Sequence, residues 1–305
     1  MINSRLTRAT LATLALLGLA ALAVSCGGSS QTTQGNPSRL QVVTSINLFA
    51  DLIEHVGGDR VQVTALVPPG ADPHTYAPVP SQAAKVAKAD LVVINGLDLE
   101  QTLHDLIQNS ARGNAVVVEM TAGLPIIGSS GSGAGNPHLW LNVQNAMHYV
   151  EAIRDGLIKA DPANADFYRT NASAYLDDLT TLDKETAAAI QTIPPEQRKL
   201  VTYHDSFPYF AERYGLEVVG VVVESEGSEP SAQELANLAD QIRAQNVPVV
   251  FTEPEFNAQL LDTVAEEAGV QVKTLLSDAY NDDVHSYVEL IQFDTQQLVE
   301  GLGSP

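Results

Sequence analysis

Short continuous apolar runs alternate with segments of helical pattern along most of the chain. In the first half, "LQVVTS" (40–45), "VQVTALV" (61–67), "LVVING" (91–96) and "AVVVEM" (115–120) read as strands, with helical composition over 47–57 and 80–89. In the second half, "KLVTYH" (199–204), "LEVVGVVVE" (216–224), "VPVVFTE" (247–253) and "VQVKTLL" (270–276) repeat the pattern, with helices expected over 207–214, 231–245 and 257–268. Strands that are apolar throughout, rather than in alternation, have both faces covered. Interleaved with helices, they predict parallel sheets. The expected fold is α/β: two lobes, each with a four-stranded, mainly parallel sheet flanked by helices.

Between the lobes, Tyr168, Ala172, Tyr175, Leu176, Leu179 and Leu182 recur at helical spacing. Asp161 is a capping residue type, Pro162 suits a first helical position, and Pro194-Pro195 ends the segment. A single helix over 162–190 would run roughly 40 Å at about 1.5 Å per residue. Such a helix is a rigid connector, whereas a break near Thr180-Thr181 would give two shorter ones. The expected organisation is an N-terminal lobe over 38–160, a linking helix over 161–193 and a C-terminal lobe over 194–305.

Residues 1–25 carry Arg5 and Arg8 ahead of the apolar stretch "LATLALLGLAALAV". That is the layout of an export signal and is short for a bilayer span. It ends at "LAVSC", whose Cys26 is the only cysteine of the chain. An unpaired cysteine at this point predicts lipidation, with ordinary signal cleavage as the alternative. Residues 26–37 are then a lipid anchor and flexible polar tether. The expected location is the outer face of the cytoplasmic membrane, or the periplasm, with the membrane touched through lipid alone. The formal charge of −21 argues against nucleic acid as a partner and weakly favours cations.

Three histidines stand in turn-rich settings: His74 in "GADPHTYAP", His138 in "GNPHLWLN" and His204 in "VTYHDSFPYF". They are 64 and 66 residues apart, and Asp278 in "LLSDAYNDD" follows 74 residues later. Each falls on a loop beyond the carboxyl end of a predicted strand, where open α/β sheets bind ligands. Imidazole and carboxylate together suit a borderline divalent metal. The competing reading is loop or capping histidines, with Asp278 as a helix N-cap. His55, His104 and His148 lie in helix-like segments and read as surface residues. His285 reads as an exposed helix position, or an accessory ligand beside Asp282 and Asp283. Trp140 is expected to pack under the site, and Asp205 and Glu224 to be solvated acids or hydrogen-bond partners of the imidazoles.

Several segments together resemble the metal-binding solute-binding proteins of ABC importers for zinc and manganese. "GADPHTYAPVPSQ", "NGLDLEQTL", "NPHLWLNVQNA", "EGSEPSAQELANLADQIRAQNVPVVFTEPEFN" and "SYVELIQFDTQQLVEGL" match that family's motifs in order, over essentially all of the chain after the tether. The resemblance implies a helical-backbone metal-binding fold and a C-terminal helix. It implies His74, His138, His204 and Asp278 as metal ligands, and a monomer that hands its cargo to a membrane permease. It also implies that no residue is catalytic. Three imidazoles and a carboxylate suit Zn2+, while Mn2+ stays open, since "GSSGSGAG" lacks the His-rich loop of many zinc members. A zinc hydrolase would need an open coordination position and offers no His-Glu-x-x-His motif here. An adhesin is a third reading.

Overall fold

A computed structural model describes residues 39–128, 135–223 and 229–303. The export segment, the tether with Cys26, Glu224 and most of the loop 128–135 lie outside the described residues. The first sheet holds β1 (Leu40–Thr44), β2 (Val61–Ala65), β3 (Leu91–Ile94) and β4 (Val116–Glu119). The second holds β5 (Lys199–His204), β6 (Glu217–Val223), β7 (Val249–Thr252) and β8 (Gln271–Thr274). Their orders are β2-β1-β3-β4 and β6-β5-β7-β8, the same in both lobes, and every pairing is parallel. The predicted runs overshoot most strands by one to three residues. After β2, for example, Leu66 and Val67 already leave the ladder, although their N–H groups still reach Thr44 and Ser45 carbonyls at 2.9 and 2.8 Å.

The helices are α1 (Asn47–Gly57), α2 (Pro80–Val86), α3 (Gln101–Ser110), α4 (Val143–Ala160), α5 (Ala165–Ile190), α6 (Pro208–Tyr214), α7 (Ala232–Gln245), α8 (Gln259–Ala268) and α9 (Tyr287–Leu302). The extents of α3 and α4 are additions to the sequence reading. The chain begins α4 at Asn142, whose side chain accepts from the Gln144 N–H. Gly156 lets α4 lie close on β4, because a Cβ there would meet Val118 at 2.6 Å.

The linking helix is continuous over its 26 residues and does not break at Thr180-Thr181. Both hydroxyls donate back to carbonyls four residues earlier, at 2.8 and 3.1 Å, and so are satisfied inside the helix. Its start differs from expectation. Pro162 opens a single 3-10 turn (Pro162–Asn164), and α5 begins at Ala165. Asp161 caps no backbone N–H with its side chain; its carboxylate accepts instead from Asn164 and from the Tyr168 hydroxyl at 2.6 and 2.8 Å. The predicted apolar stripe faces inward. Tyr168, Ala172, Tyr175, Leu179 and Leu182 are buried and Leu176 is half-buried. Each large buried side chain contributes about 1.5–3 kcal/mol of transfer free energy.

One core cluster runs from Val42 to Leu302 and includes α1, α4, α5 and α9 together with both faces of the N-terminal sheet and one face of the C-terminal sheet. A second fills the other face of the C-terminal sheet beneath α7 and α8. Along β5, Leu200 joins the first cluster and Val201 the second, the alternation a doubly covered strand requires. Among the described residues no helix is long and apolar enough to cross a membrane.

Candidate metal centre

The loops beyond the strand ends converge between the sheets. His204 is the last residue of β5, the strand from which the second sheet's connections run in both directions. His74 follows β2, His138 follows β4, and Asp278 follows β8. One donor atom from each lies within 4.8 Å of all the others. Their side chains are 6%, 0%, 3% and 0% exposed for His74, His138, His204 and Asp278. Asp282 and Asp283 stay outside this group and are exposed. Asp278 caps no helix, since Ser286 caps α9.

Hydrogen bonds fix which nitrogen of His138 and of His204 faces the centre. Asn136 Oδ1 accepts both the backbone N–H and Nδ1 of His138, each at 3.0 Å. An oxygen that accepts from a backbone N–H is an acceptor, so Nδ1 carries the hydrogen and Nε2 is bare when the ring is neutral. Glu253 Oε1 does the same for His204, accepting from N at 3.2 Å and from Nδ1 at 3.0 Å. The Nε2 atoms of His138 and His204 then face one another at 3.2 Å, and His74 Nε2 stands 3.2 Å from His138 Nε2. Asp278 oxygens lie 3.5–3.7 Å from all three. Two bare lone pairs at that distance repel unless a cation or a proton lies between them. A tetrahedral metal with bonds of about 2.0–2.1 Å sets its donors about 3.3 Å apart, close to the spacing of His138 from His74 and from His204 and a little under that of Asp278.

The loops are tied down from behind. Asn95 donates to the Pro137 carbonyl at 2.9 Å and accepts from the Tyr149 hydroxyl. Trp140 stacks at a tilt 5.2 Å from His138, and its indole N–H donates to the Ser277 carbonyl at 3.0 Å. Asp294, on α9, accepts from the Leu276 N–H at 2.8 Å and fixes the chain two residues before Asp278. Phe256 packs 4.7 Å from His204.

Burial opposes the charge on Asp278, but His138, then His204 and His74, hold its carboxyl well below the usual carboxylate range. Burial lowers the His138 pKa. It acts the same way on His204, yet Glu253 and Asp278 carry that group well above an ordinary histidine. Burial, reinforced by Asp278 and Glu253, pushes Glu255 up to about 8.

Among the described residues Asp205 bonds Asn136 rather than an imidazole. It accepts from Asn136 Nδ2 through its carbonyl at 2.5 Å and its carboxylate at 3.2 Å, and so steadies the residue that holds His138. His55 is only partly a surface residue, being stacked on Tyr175 at 4.1 Å and paired with Asp51 at 3.5 Å. His104 bonds Gln108, and His148 bonds the Ala122 carbonyl. His285 is exposed but precedes α9 rather than lying in it. Sequence reasoning missed Glu253, Asn136 and Asp294. Asn136, two residues before His138, carried a signal, because Asx side chains bond backbone two residues on.

The chain matches the model of the ZnuA family, zinc-uptake complex component A periplasmic, over residues 42–301. It belongs to that family. The manganese-binding lipoprotein MntA of Halalkalibacterium halodurans is 35% identical over 288 residues, covering 92% of this chain and 94% of the relative. The iron-binding protein YfeA of Yersinia pestis is 33% identical over 281 residues, covering 88% and 90%. The solved periplasmic zinc-binding protein TroA of Treponema pallidum superposes with a TM-score of 0.82 at 28% identity, covering 87% of this chain and all of that one. These three similar proteins are thus named for three different metals, so likeness to them leaves the metal open.

Proposed function

We propose that this protein captures a divalent transition metal outside the cytoplasm and hands it to the permease of an ABC importer, with zinc as the favoured cargo. His74, His138, His204 and Asp278 are the proposed ligands. The observation that carries this reading is the 3.2 Å approach of His138 Nε2 and His204 Nε2, each with its other ring nitrogen already committed. Three nitrogen donors and one oxygen donor favour zinc by ligand type and by intrinsic affinity order. Four protein donors also complete a tetrahedron, which suits capture and leaves no position for a catalytic water. Manganese is the second reading, supported by the name of the relative at 35% identity.

Residues 1–25 are the proposed export signal, and Cys26 the proposed lipid attachment ahead of a tether to residue 37. The folded part then works as a monomer beside the membrane. Elemental analysis of protein purified from metal-replete medium, followed by zinc–manganese competition, tests the reading. Retained zinc supports it, displacement of zinc by equimolar manganese favours the second reading, and failure to bind either metal overturns both.

A further inference from the structure

The four donor side chains are at most 6% exposed, so a cation reaching them needs a defined path. A recess of about 320 Å3 opens between the loop that follows β2 and the loop that precedes α9. Pro68, Pro69 and Gly70 form its N-lobe rim, and all three are exposed. Asp278 lies in its wall, buried, and neither carboxylate oxygen accepts a hydrogen bond among the described residues. Tyr280 lines the recess too, and its buried hydroxyl likewise has no hydrogen-bond partner there. At the surface end stand Asp282 and His285, both exposed.

We propose that the cation enters and leaves through this recess, with Asp282 and His285 as its outer capture pair and Asp278 as the ligand it meets first. The inference rests on the metal-capture reading above. A liquid water occupies about 30 Å3, so the recess admits a cation with several of its waters. Its lining includes two carboxylates and an imidazole but neither lysine nor arginine. Asp51, Glu54 and Glu289 also lie near enough to act electrostatically on Tyr280, so the field there attracts cations. Donor types are graded along the path. An exposed carboxylate and imidazole capture a hydrated ion, the Tyr280 oxygen offers a passing contact, and the Asp278 carboxylate completes the transfer to the imidazoles.

Stopped-flow zinc binding and release on the full chain, read with a chromophoric chelator, tests this. Asp282→Asn combined with His285→Gln should slow association and dissociation together, each roughly threefold or more, so that their ratio moves by less than about twofold. Because the pair acts through its field, about 0.5 M salt should shrink the gap from the parent. Pro69→Trp, at the exposed rim, should slow both rates by roughly tenfold through obstruction; circular dichroism checks that it folds. Rates at parental values in both variants would overturn the path. So would a weakened affinity with unchanged association, since that would make the pair part of the bound site. A parent that binds no metal defeats the functional reading and the path with it, whereas a parent that binds while the variants' rates stay put defeats the path alone.

Discussion

In the N-terminal lobe, His138 gives its ring N–H to the amide oxygen of Asn136. In the C-terminal lobe, His204 gives its own to the carboxylate of Glu253. Both acceptors also take the backbone N–H of the histidine they hold, so the two motifs match in geometry and differ in charge. The contrast extends outward. The C-terminal lobe sets the buried carboxyls of Glu253 and Asp278 against the imidazoles. The N-terminal lobe's buried Glu100 is turned instead to holding Ser45, Asn95 and Gly96. One half of the site therefore supplies position and the other supplies field. A carboxylate partner makes an imidazole a stronger donor, and it also favours the protonated ring, which is why the His204 pKa goes up while that of His138 goes down.

The largest effects should come from the donors themselves. His74→Ala, His138→Ala and His204→Ala should each lower zinc affinity by more than the roughly 10–100-fold typical of outer partners. Asp278→Ala should cost less, because water replaces a carboxylate oxygen more readily than an imidazole in this closed site. Isothermal titration decides it, and an unchanged isotherm for any variant removes that residue from the site.

The charge contrast is isolated by Glu253→Gln. Glutamine keeps an oxygen for both His204 N–H groups and turns its amide toward the Ser206 hydroxyl, now 3.0 Å from the carboxylate. Zinc affinity should fall by about tenfold, the lower end for outer partners. Asn136→Ala removes a neutral partner and should cost less still. If the alanine variant is the weaker binder, positioning outweighs field and the contrast between the lobes is wrong.

The linking helix repeats the asymmetry. It meets the C-terminal lobe through Asp183, which accepts from Arg213 at 3.0 and 2.5 Å and from the Tyr214 hydroxyl at 3.0 Å. It meets the N-terminal lobe through a neutral bond from Asn171 to the Val56 carbonyl at 3.1 Å. Asp183→Ala should destabilise by about 1–3 kcal/mol, below the value for a fully buried pair because Arg213 keeps some solvent. Asn171→Ala should cost about 1 kcal/mol or less. Urea denaturation of the metal-free proteins gives both values.

The strands were legible because fully covered parallel strands are apolar almost throughout, and β3 and β7 declare themselves in "LVVING" and "VPVVFTE". Strand ends locate ligand loops, which singled out His74, His138, His204 and Asp278 as candidates, but only the family resemblance favoured Asp278 as a ligand over a helix cap. The donors' partners were not legible. Glu253 lies 49 residues from His204, and nothing local in "FTEPEF" says which of its two glutamates turns toward an imidazole. Asp294 lies 18 residues from Leu276, inside a helix where an acid reads as surface. Long-range pairing is decided by packing, and a single sequence shows only the local half of it.

A pH-dependent effect concerns that same Asp294. Burial raises its carboxyl well above the ordinary range, while one oxygen holds the Leu276 N–H and the other has no hydrogen-bond partner among the described residues. An acid with a raised pKa keeps its proton in the folded state when the unfolded chain has lost it. The folded state then binds more protons than the unfolded one, and stability falls as pH rises. This contribution is intact below about pH 3.9, the unfolded value of an aspartate, and is lost progressively above it. Asp294→Asn keeps an oxygen for Leu276 and removes the titration. Relative to the parent, the variant should gain stability as pH climbs above about 4, the unfolded value of an aspartate. Urea denaturation of both metal-free proteins at several pH values measures the difference. A difference that stays flat across that range would mean that Asp294 is ionised in the fold, and that the acid behind the C-terminal half of the site adds to its field rather than only bracing its backbone.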